Sequence, residues 1–177
     1  MQKIAHEILE HQSIANELLT NLQSYIYTAR IILQEAIQKN KKIYLFGNDE
    51  NVFQANHMAY LLNEYCEKNI AISLCNDIAF ITKISQEHGA DYIFEKQLLR
   101  CVLNEDVFIG FSNSGASKNI LRALSFGQHR GCKTIGFSSG DGGAIRELSD
   151  VSIIIPSSDK FRIQEMYGIV KNILIRA

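Results

Sequence analysis

The pattern of apolar and polar positions divides the chain into an N-terminal helical stretch and an alternating remainder. Residues 2–40 carry apolar side chains at helical spacing, with no glycine or proline, which predicts one long helix or two successive helices. Five apolar runs follow, each succeeded by a helical pattern, at 43–47, 70–75, 106–111, 134–138 and 151–155. This alternation predicts a three-layer, doubly wound α/β fold with five parallel strands. Pro156 ends the last run, and a closing helix is predicted over 160–176.

Length and pattern together predict the organisation of the chain. A chain of 177 residues with 46% hydrophobic content fits one domain, 1–177, with N-terminal helices over 1–40 and an α/β core over 41–177. The N-terminal segment is apolar on more than one face, and so small a domain cannot cover all of them. We therefore expect the N-terminal helices to be used in a homo-oligomer.

Composition and charge narrow the classes of partner. The net charge is −1 and the basic residues are scattered, so no basic face is offered to nucleic acid or to a membrane surface. The chain has no run of about 18 apolar residues, and polar side chains at its start interrupt any signal-peptide core, which predicts a cytoplasmic protein. The cysteines are widely spaced, without a Cys-x-x-Cys pair, and are expected to be buried free thiols: Cys66, Cys75, Cys101 and Cys132.

The segment Phe111–Ser117 carries the clearest candidate chemistry. It lies between a predicted strand and a predicted helix, so backbone N–H groups and the positive end of the helix dipole face the loop. Ser112, Ser114 and Ser117 add hydroxyl groups, and Gly115 permits close approach of the backbone. The segment lacks the Gly-Lys-Ser/Thr ending of a nucleotide P-loop. We predict a phosphate-binding loop; the alternative is a helix start at which Ser117 merely caps.

Other motifs extend this picture over nearly the whole chain. They are Gly47-Asn48, Ala55-Asn56-His57, Lys133-Thr134-Ile135-Gly136, Asp141-Gly142-Gly143, Pro156-Ser157-Ser158 and Arg162-Ile163-Gln164-Glu165. With the serine loop, they resemble the sugar isomerase (SIS) domain and, within it, the phosphoheptose isomerase family. The resemblance implies a flavodoxin-like fold, a homotetramer and a phosphorylated ketose or aldose as ligand. It further implies that Asn48, Asn113 and Gln164 meet the sugar.

The chain departs from the family pattern where the resemblance implies catalysis. The family isomerase uses zinc to move a proton between C1 and C2 of sedoheptulose 7-phosphate. In the family, a His is followed four residues later by a Glu that binds the metal and serves as the base. In this chain His57 is present, but the residue four positions later is Leu61. The closing helix of the family supplies a Gln and, eight residues later, a His. In this chain Gln164 is present, but the residue eight positions later is Asn172. Tyr167 also stands where the family usually has a His. One His and one neutral Gln are too few for tight zinc binding, so no metal ligands and no cofactor are expected.

Proton transfer would then need other groups. Leucine and asparagine cannot take up a proton at neutral pH, so His57 and Glu165 are the predicted catalytic residues, with Glu87 as a further possible base. His57 has a competing interpretation as a hydrogen-bonded core histidine beside Met58 and Leu61.

Two loops near the predicted phosphate leave alternatives open. Asp49 and Glu50 stand where the family has glycines, and they would repel a phosphate unless they turn outward, pair with a cation or form the acidic first turn of the next helix. Asp141-Gly142-Gly143 either closes over the ligand or forms a turn with glycine at positive φ.

These observations predict a phosphosugar-binding protein of the phosphoheptose isomerase family that has diverged at the catalytic metal site. One alternative is an active isomerase with a rearranged base. Another is a non-catalytic, tetrameric interaction module resembling the branch of the family that binds the bacterial replication initiator.

Overall fold

The computed structural model describes residues 2–176; Met1 and Ala177, the two ends of the predicted domain, lie outside the described residues. The strands are β1 (Ile43–Gly47), β2 (Ala71–Ser73), β3 (Val107–Phe111), β4 (Lys133–Ser139) and β5 (Val151–Ile155). The helices are α1 (Gln2–Glu17), α2 (Gln23–Gln38), α3 (Asn51–Cys66), α4 (Ile78–His88), α5 (Ile93–Leu98), α6 (Lys118–His129), α7 (Ile145–Leu148) and α8 (Lys160–Ile175).

The five strands form one parallel sheet in the order β2-β1-β3-β4-β5. This is the flavodoxin-like order of a doubly wound sheet, so the predicted fold is confirmed. The second strand is shorter than the predicted run 70–75. Leu74 still donates its backbone N–H to Leu45, but the chain then turns, and Asp77 caps α4 by accepting from the N–H of Phe80.

Alternating side chains of the sheet build two cores. Ile43 and Leu45 of β1 belong to the core that α2, α3 and α8 cover, together with part of α1. Tyr44 and Phe46 point to the opposite face, into the core that α5 and α6 cover. The sheet is therefore the middle of three layers, and its strands are apolar on both faces because both are buried.

The N-terminal helices form one continuous helical stretch, in which a π-helical segment, Leu18–Leu22, joins α1 to α2. The residues of α1 are largely exposed: Ile14 alone is buried, whereas Ile4 and Leu9 are 66% and 62% exposed. The predicted N-terminal helical segment is confirmed, and the π-helical segment makes it intermediate between the one long helix and the two successive helices considered. The prediction that they serve in oligomerisation stays a prediction, which this uncovered apolar surface supports.

The cysteines are free thiols in different surroundings. Cys132 is buried, Cys66 and Cys75 are half-buried, and Cys101 is exposed. The expectation of burial was therefore wrong for Cys101, which lies in the turn after α5. Across residues 2–176, no helix is long and apolar enough to cross a membrane.

Candidate functional site

The serine loop joins the carboxyl end of β3, in the middle of the sheet, to the first turn of α6. Ser112 is buried and donates its hydroxyl to Ser117 Oγ at 2.9 Å, while Ser114 is exposed. Ser117 precedes α6 but makes no side-chain capping bond, so its hydroxyl belongs to the loop rather than to a simple cap. The first N–H groups of a helix lack intrahelical acceptors. Just before α6, the N–H of Ala116 donates to Ser114 Oγ at 3.3 Å and the N–H of Ser117 donates to Ser112 Oγ at 3.4 Å.

Two glycine turns pack backbone to backbone beside the serine loop. Gly115 has φ +63, and a Cβ at this position would overlap the carbonyl oxygen of Gly142. Ile145 donates its N–H to the carbonyl of Gly115 at 3.0 Å, and Asp141 closes the neighbouring turn by accepting from Gly143 N–H at 3.0 Å. Asp141-Gly142-Gly143 is therefore the positive-φ turn before α7, and it supports the serine loop from the side.

Asn48 is fixed at the edge of the loop by a reciprocal pair of hydrogen bonds. Its amide donates to Asn119 Oδ1 and accepts from Asn119 Nδ2, both at 2.9 Å. Asn119 is buried in the first turn of α6. A primary amide has two N–H donors and two lone pairs, so the pair leaves the Asn48 amide one donor and one acceptor position for a ligand, whereas Asn119 Oδ1 also accepts from the N–H of Ile120 at 3.0 Å.

A chain of four amide side chains runs from the serine loop to α8. Asn51 donates to Asn113 Oδ1 at 3.1 Å, and Gln164 donates to Asn51 Oδ1 at 2.9 Å. Gln54 then donates to Gln164 Oε1. The structure thus links Asn113 to Gln164 through Asn51, and Gln54 adds a further contact to Gln164. The sequence analysis did not single out Asn51 and Gln54, which both lie on α3.

The two acidic residues of the first loop face different ways. Asp49 is exposed, with φ +50, whereas Glu50 turns inward and accepts from Asn113 Nδ2 at 2.9 Å. The partner of Glu50 is a neutral amide, not a cation, and Glu50 makes no capping bond to α3. Asp49 therefore turns outward, whereas within residues 2–176 Glu50 neither turns outward, nor pairs with a cation, nor caps the next helix with its side chain.

Tyr167 lies beneath this region in the core. It is fully buried and packs edge-on against Phe111 and Phe137, with ring centroids 5.8 Å and 5.4 Å away. Burial, and then the negative charge of Glu50, raise the pKa of Tyr167, so its hydroxyl stays protonated. Tyr167 acts here as a core residue.

His57 lies on the exposed side of α3, so its interpretation as a core histidine was wrong. Its Nδ1 is 3.4 Å from Nζ of Lys171 on α8. Loss of solvent, and then the positive charge of Lys171, lower the pKa of His57. Both residues border an open pocket of about 480 Å³, lined by Phe53, Gln54, Asn56, His57, Gly168 and Lys171.

Lys171 is the functional candidate that the sequence analysis missed. Only 3% of the residue is exposed, and burial lowers the pKa of its ammonium to about 8. The signal lay in the closing helix, where the buried positions Tyr167, Val170 and Leu174 predict an apolar face that a lysine interrupts. Lysine at such a position is rarely buried without a partner.

The donor set at His57 does not fit a zinc ion. Leu61 packs against the core and Asn172 is exposed, while the amide of Gln164 already binds Asn51 and Gln54. No group of three or more His, Cys, Asp or Glu side chains that could hold a metal occurs within residues 2–176. The ammonium beside His57 would also repel a divalent cation.

The predicted carboxylate bases lie elsewhere. Glu165 turns toward α1, where it binds His11 Nδ1 at 2.7 Å and accepts from Arg162 at 2.9 Å. Glu87 is exposed on α4 with His88 Nε2 4.0 Å away. A base role for either stays a prediction that these contacts do not support.

The flavodoxin-like sheet and the serine loop at its carboxyl edge define an α/β domain of the SIS class. The SIS domain profile matches residues 8–139 of the chain. A phosphoheptose isomerase from a Nitratiruptor species is 40% identical over 178 residues, covering 98% of this chain and 95% of that protein. The chain belongs to the phosphoheptose isomerase family of SIS-domain proteins.

Further relatives agree with this assignment. A phosphoheptose isomerase of Helicobacter pylori is 35% identical over 175 residues, covering 97% of this chain and 91% of that protein. The structure of phosphoheptose isomerase GmhA from Neisseria gonorrhoeae has a TM-score of 0.93 at 25% identity, covering 99% of this chain and 96% of that one. The similarity therefore includes β5 and α8, which lie beyond the matched SIS region.

Proposed function

We propose that this protein binds a phosphorylated ketose or aldose of the sedoheptulose 7-phosphate class, and that its site has diverged from the metal site of the family. The observation that carries the proposal is the serine loop. Ser112, Ser114 and Ser117 present hydroxyl groups at the start of α6, where the helix dipole favours an anion. Gly115 holds the backbone in the conformation that this loop needs.

The amide groups around the loop are suited to sugar hydroxyls. Asn48, Asn113 and Gln164 are each held by at least one amide partner, so little side-chain freedom is lost when a ligand binds. His57 borders the adjoining pocket and is the candidate acid–base residue. Glu50 lies close to the phosphate position, and its hydrogen bond from Asn113 offsets part of the repulsion.

An active isomerase is the second candidate. The named activity of relatives at 40% and 35% identity and the retained His57 favour it. Its base would differ from that of the family pattern, because Leu61 and Asn172 carry no titratable group. No described contact specifically favours the third hypothesis, the interaction module, which enters as an outcome of the test below.

We also infer that the protein assembles as a homotetramer. Apolar side chains project from the outer surface of the helical layer, including Leu9 on α1, Tyr27 on α2, Phe53 on α3 and Phe161 on α8, each more than 60% exposed. Such a surface favours burial against further copies of the chain. Light scattering after gel filtration should give four times the 20.0 kDa mass of one chain, and a monomeric mass would contradict the inference.

The test is calorimetric titration with sedoheptulose 7-phosphate, followed by an NMR assay of its conversion to an aldose on the same sample. Wild type should bind, Ser114→Ala should bind at least about tenfold more weakly, and Ser85→Ala, an exposed serine on α4, should match wild type. Conversion by wild type would establish the second candidate. No binding at millimolar ligand would overturn the proposed function and leave the interaction module.

A further inference from the structure

Lys171 carries a buried positive charge for which residues 2–176 provide no carboxylate. Its only side-chain partner among them is His57, whose Nδ1 is 3.4 Å away, and no salt bridge includes Lys171. Burying an ammonium without an anion is costly. Such a group is retained where something other than the fold supplies the anion.

The ammonium lies beside open space. Gln164, Gly168 and Lys171 are spaced by four and three residues, so they share one face of α8. This face contacts α3, where Gln54 donates to Gln164 and His57 lies next to Lys171. Gln54, His57, Gly168 and Lys171 border the open pocket of about 480 Å³. A Cβ at Gly168 would meet no atom within 4 Å, so the glycine leaves room next to the lysine.

The two positions at which the family's metal ligands are missing lie on the two helices that border this pocket: Leu61 of α3 packs against the core, and Asn172 of α8 is exposed. Leu61 and Asn172 provide no anionic or imidazole donor, and the remaining His57 faces an ammonium. Two cations cannot share such a site without strong repulsion. A ligand in this pocket therefore meets the positive charge of Lys171 instead of the charge of a metal ion.

We propose that Lys171 takes the place of a metal ion in this site and binds the carbonyl end of the sugar phosphate, favouring ligands that carry negative charge there. The inference rests on the proposed function, because the phosphate in the serine loop sets the position of the other end. An ammonium has three N–H donors; one faces His57 and two remain for the oxygens on C1 and C2.

The two ends of the ligand site are connected within the chain. The amides of Asn113, Asn51, Gln164 and Gln54 link the serine loop to the pocket through successive hydrogen bonds. A sugar chain held along these amides places its phosphate at Ser112–Ser117 and its far end at Lys171. The charge preference should therefore appear only in ligands that also carry the phosphate.

The test compares two ligands that differ in one group: an aldoheptose 7-phosphate and the aldonate 7-phosphate made from it by oxidation of C1 to a carboxylate. Binding is measured by calorimetry in EDTA. Wild type should bind the aldonate at least about tenfold more tightly, the size of a charge-assisted hydrogen bond. Lys171→Met should lose this preference and bind both ligands with similar affinity, each more weakly than wild type, because the donors to the oxygens on C1 and C2 are gone. Lys83→Met, which removes an exposed lysine on α4, should keep the wild-type preference.

Lys171→Gln is the second neutral variant if Lys171→Met does not fold. Equal affinity of wild type for both ligands, or an unchanged preference in both neutral variants, would overturn the inference and leave the proposed function standing. Failure of wild type to bind either ligand would instead remove the proposed function.

Metal analysis gives an independent readout. Wild type incubated with zinc and then desalted should retain none, whereas a variant combining Leu61→Glu, Asn172→His and Lys171→Met should retain about one ion per chain. Stoichiometric zinc in wild type that is lost in His57→Gln would overturn the inference.

Discussion

Replacing Lys171 by methionine should stabilise the folded protein. The two side chains have similar length, so the packing of the lysine stem against α3 is largely retained, and only the ammonium is lost. Burial lowers the pKa of Lys171 from the ordinary value of 10.5 to about 8. Because a tenfold change in proton affinity is about 1.4 kcal/mol, the charged lysine costs the fold about 3 kcal/mol at pH 7.

The stability gained by Lys171→Met should depend on pH, because the lysine loses its proton at a lower pH in the folded protein than in the unfolded chain. Below pH 8 the lysine is protonated in both the folded and the unfolded chain, so the full cost is present. Between pH 8 and 10.5 the folded protein releases the proton first, and the cost falls; above 10.5 both states are neutral and it disappears. The gain from Lys171→Met should therefore be constant up to about pH 7 and vanish toward pH 10.5.

Urea unfolding measures this gain, with wild type and variant compared at equal protein concentration because assembly adds to apparent stability. A gain of about 3 kcal/mol corresponds to a rise in Tm of roughly 6–12 °C for a chain of this size. Lys83→Met should change stability by less than about 0.5 kcal/mol, because that lysine is exposed. A destabilised Lys171→Met, or a gain independent of pH, would refute the argument that the buried ammonium lacks an anion.

The two glycines Gly115 and Gly168 should respond in opposite directions to alanine. Gly115→Ala forces a Cβ into the carbonyl of Gly142 at φ +63 and should lower the free energy of unfolding by roughly 1–3 kcal/mol in urea titrations; an unaffected midpoint would contradict this. Gly168→Ala enters open space in a helix and should raise that free energy by about 0.5–1 kcal/mol; a loss would mean that the pocket is filled. Burial raises the pKa of Cys132 to about 11, so iodoacetamide at pH 8 should label exposed Cys101 well before Cys132; mass spectrometry showing equal rates would contradict this.

The sequence allowed the fold to be predicted because its signals are local. Each apolar run is short, is bounded by polar residues and is followed by helical spacing, so strand and helix positions could be predicted to within a few residues. The serine loop was predictable for the same reason, since strand, glycine, hydroxyls and helix follow one another directly. The end of β2 could not be predicted, because it depends on where Asp77 begins the next helix.

The second half of the site could not be predicted in this way. Lys171 meets His57 across 114 positions of sequence, and only the packing of α8 against α3 brings them together. The same packing decides that His57 borders a pocket instead of entering the core. Likewise, an acidic loop can point outward or inward, and the contact between Glu50 and Asn113 selects the inward orientation for one of its two carboxylates.

The absence of metal ligands and the presence of a buried ammonium are best understood as one property of the pocket. A divalent ion needs anionic or imidazole donors, which Leu61 and Asn172 do not supply, and a lysine at position 171 would oppose the ion even if they did. Conversely, without an ion the pocket has room for the ammonium, whose desolvation cost falls when a ligand brings negatively charged oxygens. Replacing Lys171 by a neutral residue should therefore have two opposite effects. The free energy of unfolding should rise, whereas the preference for a negatively charged ligand should be lost.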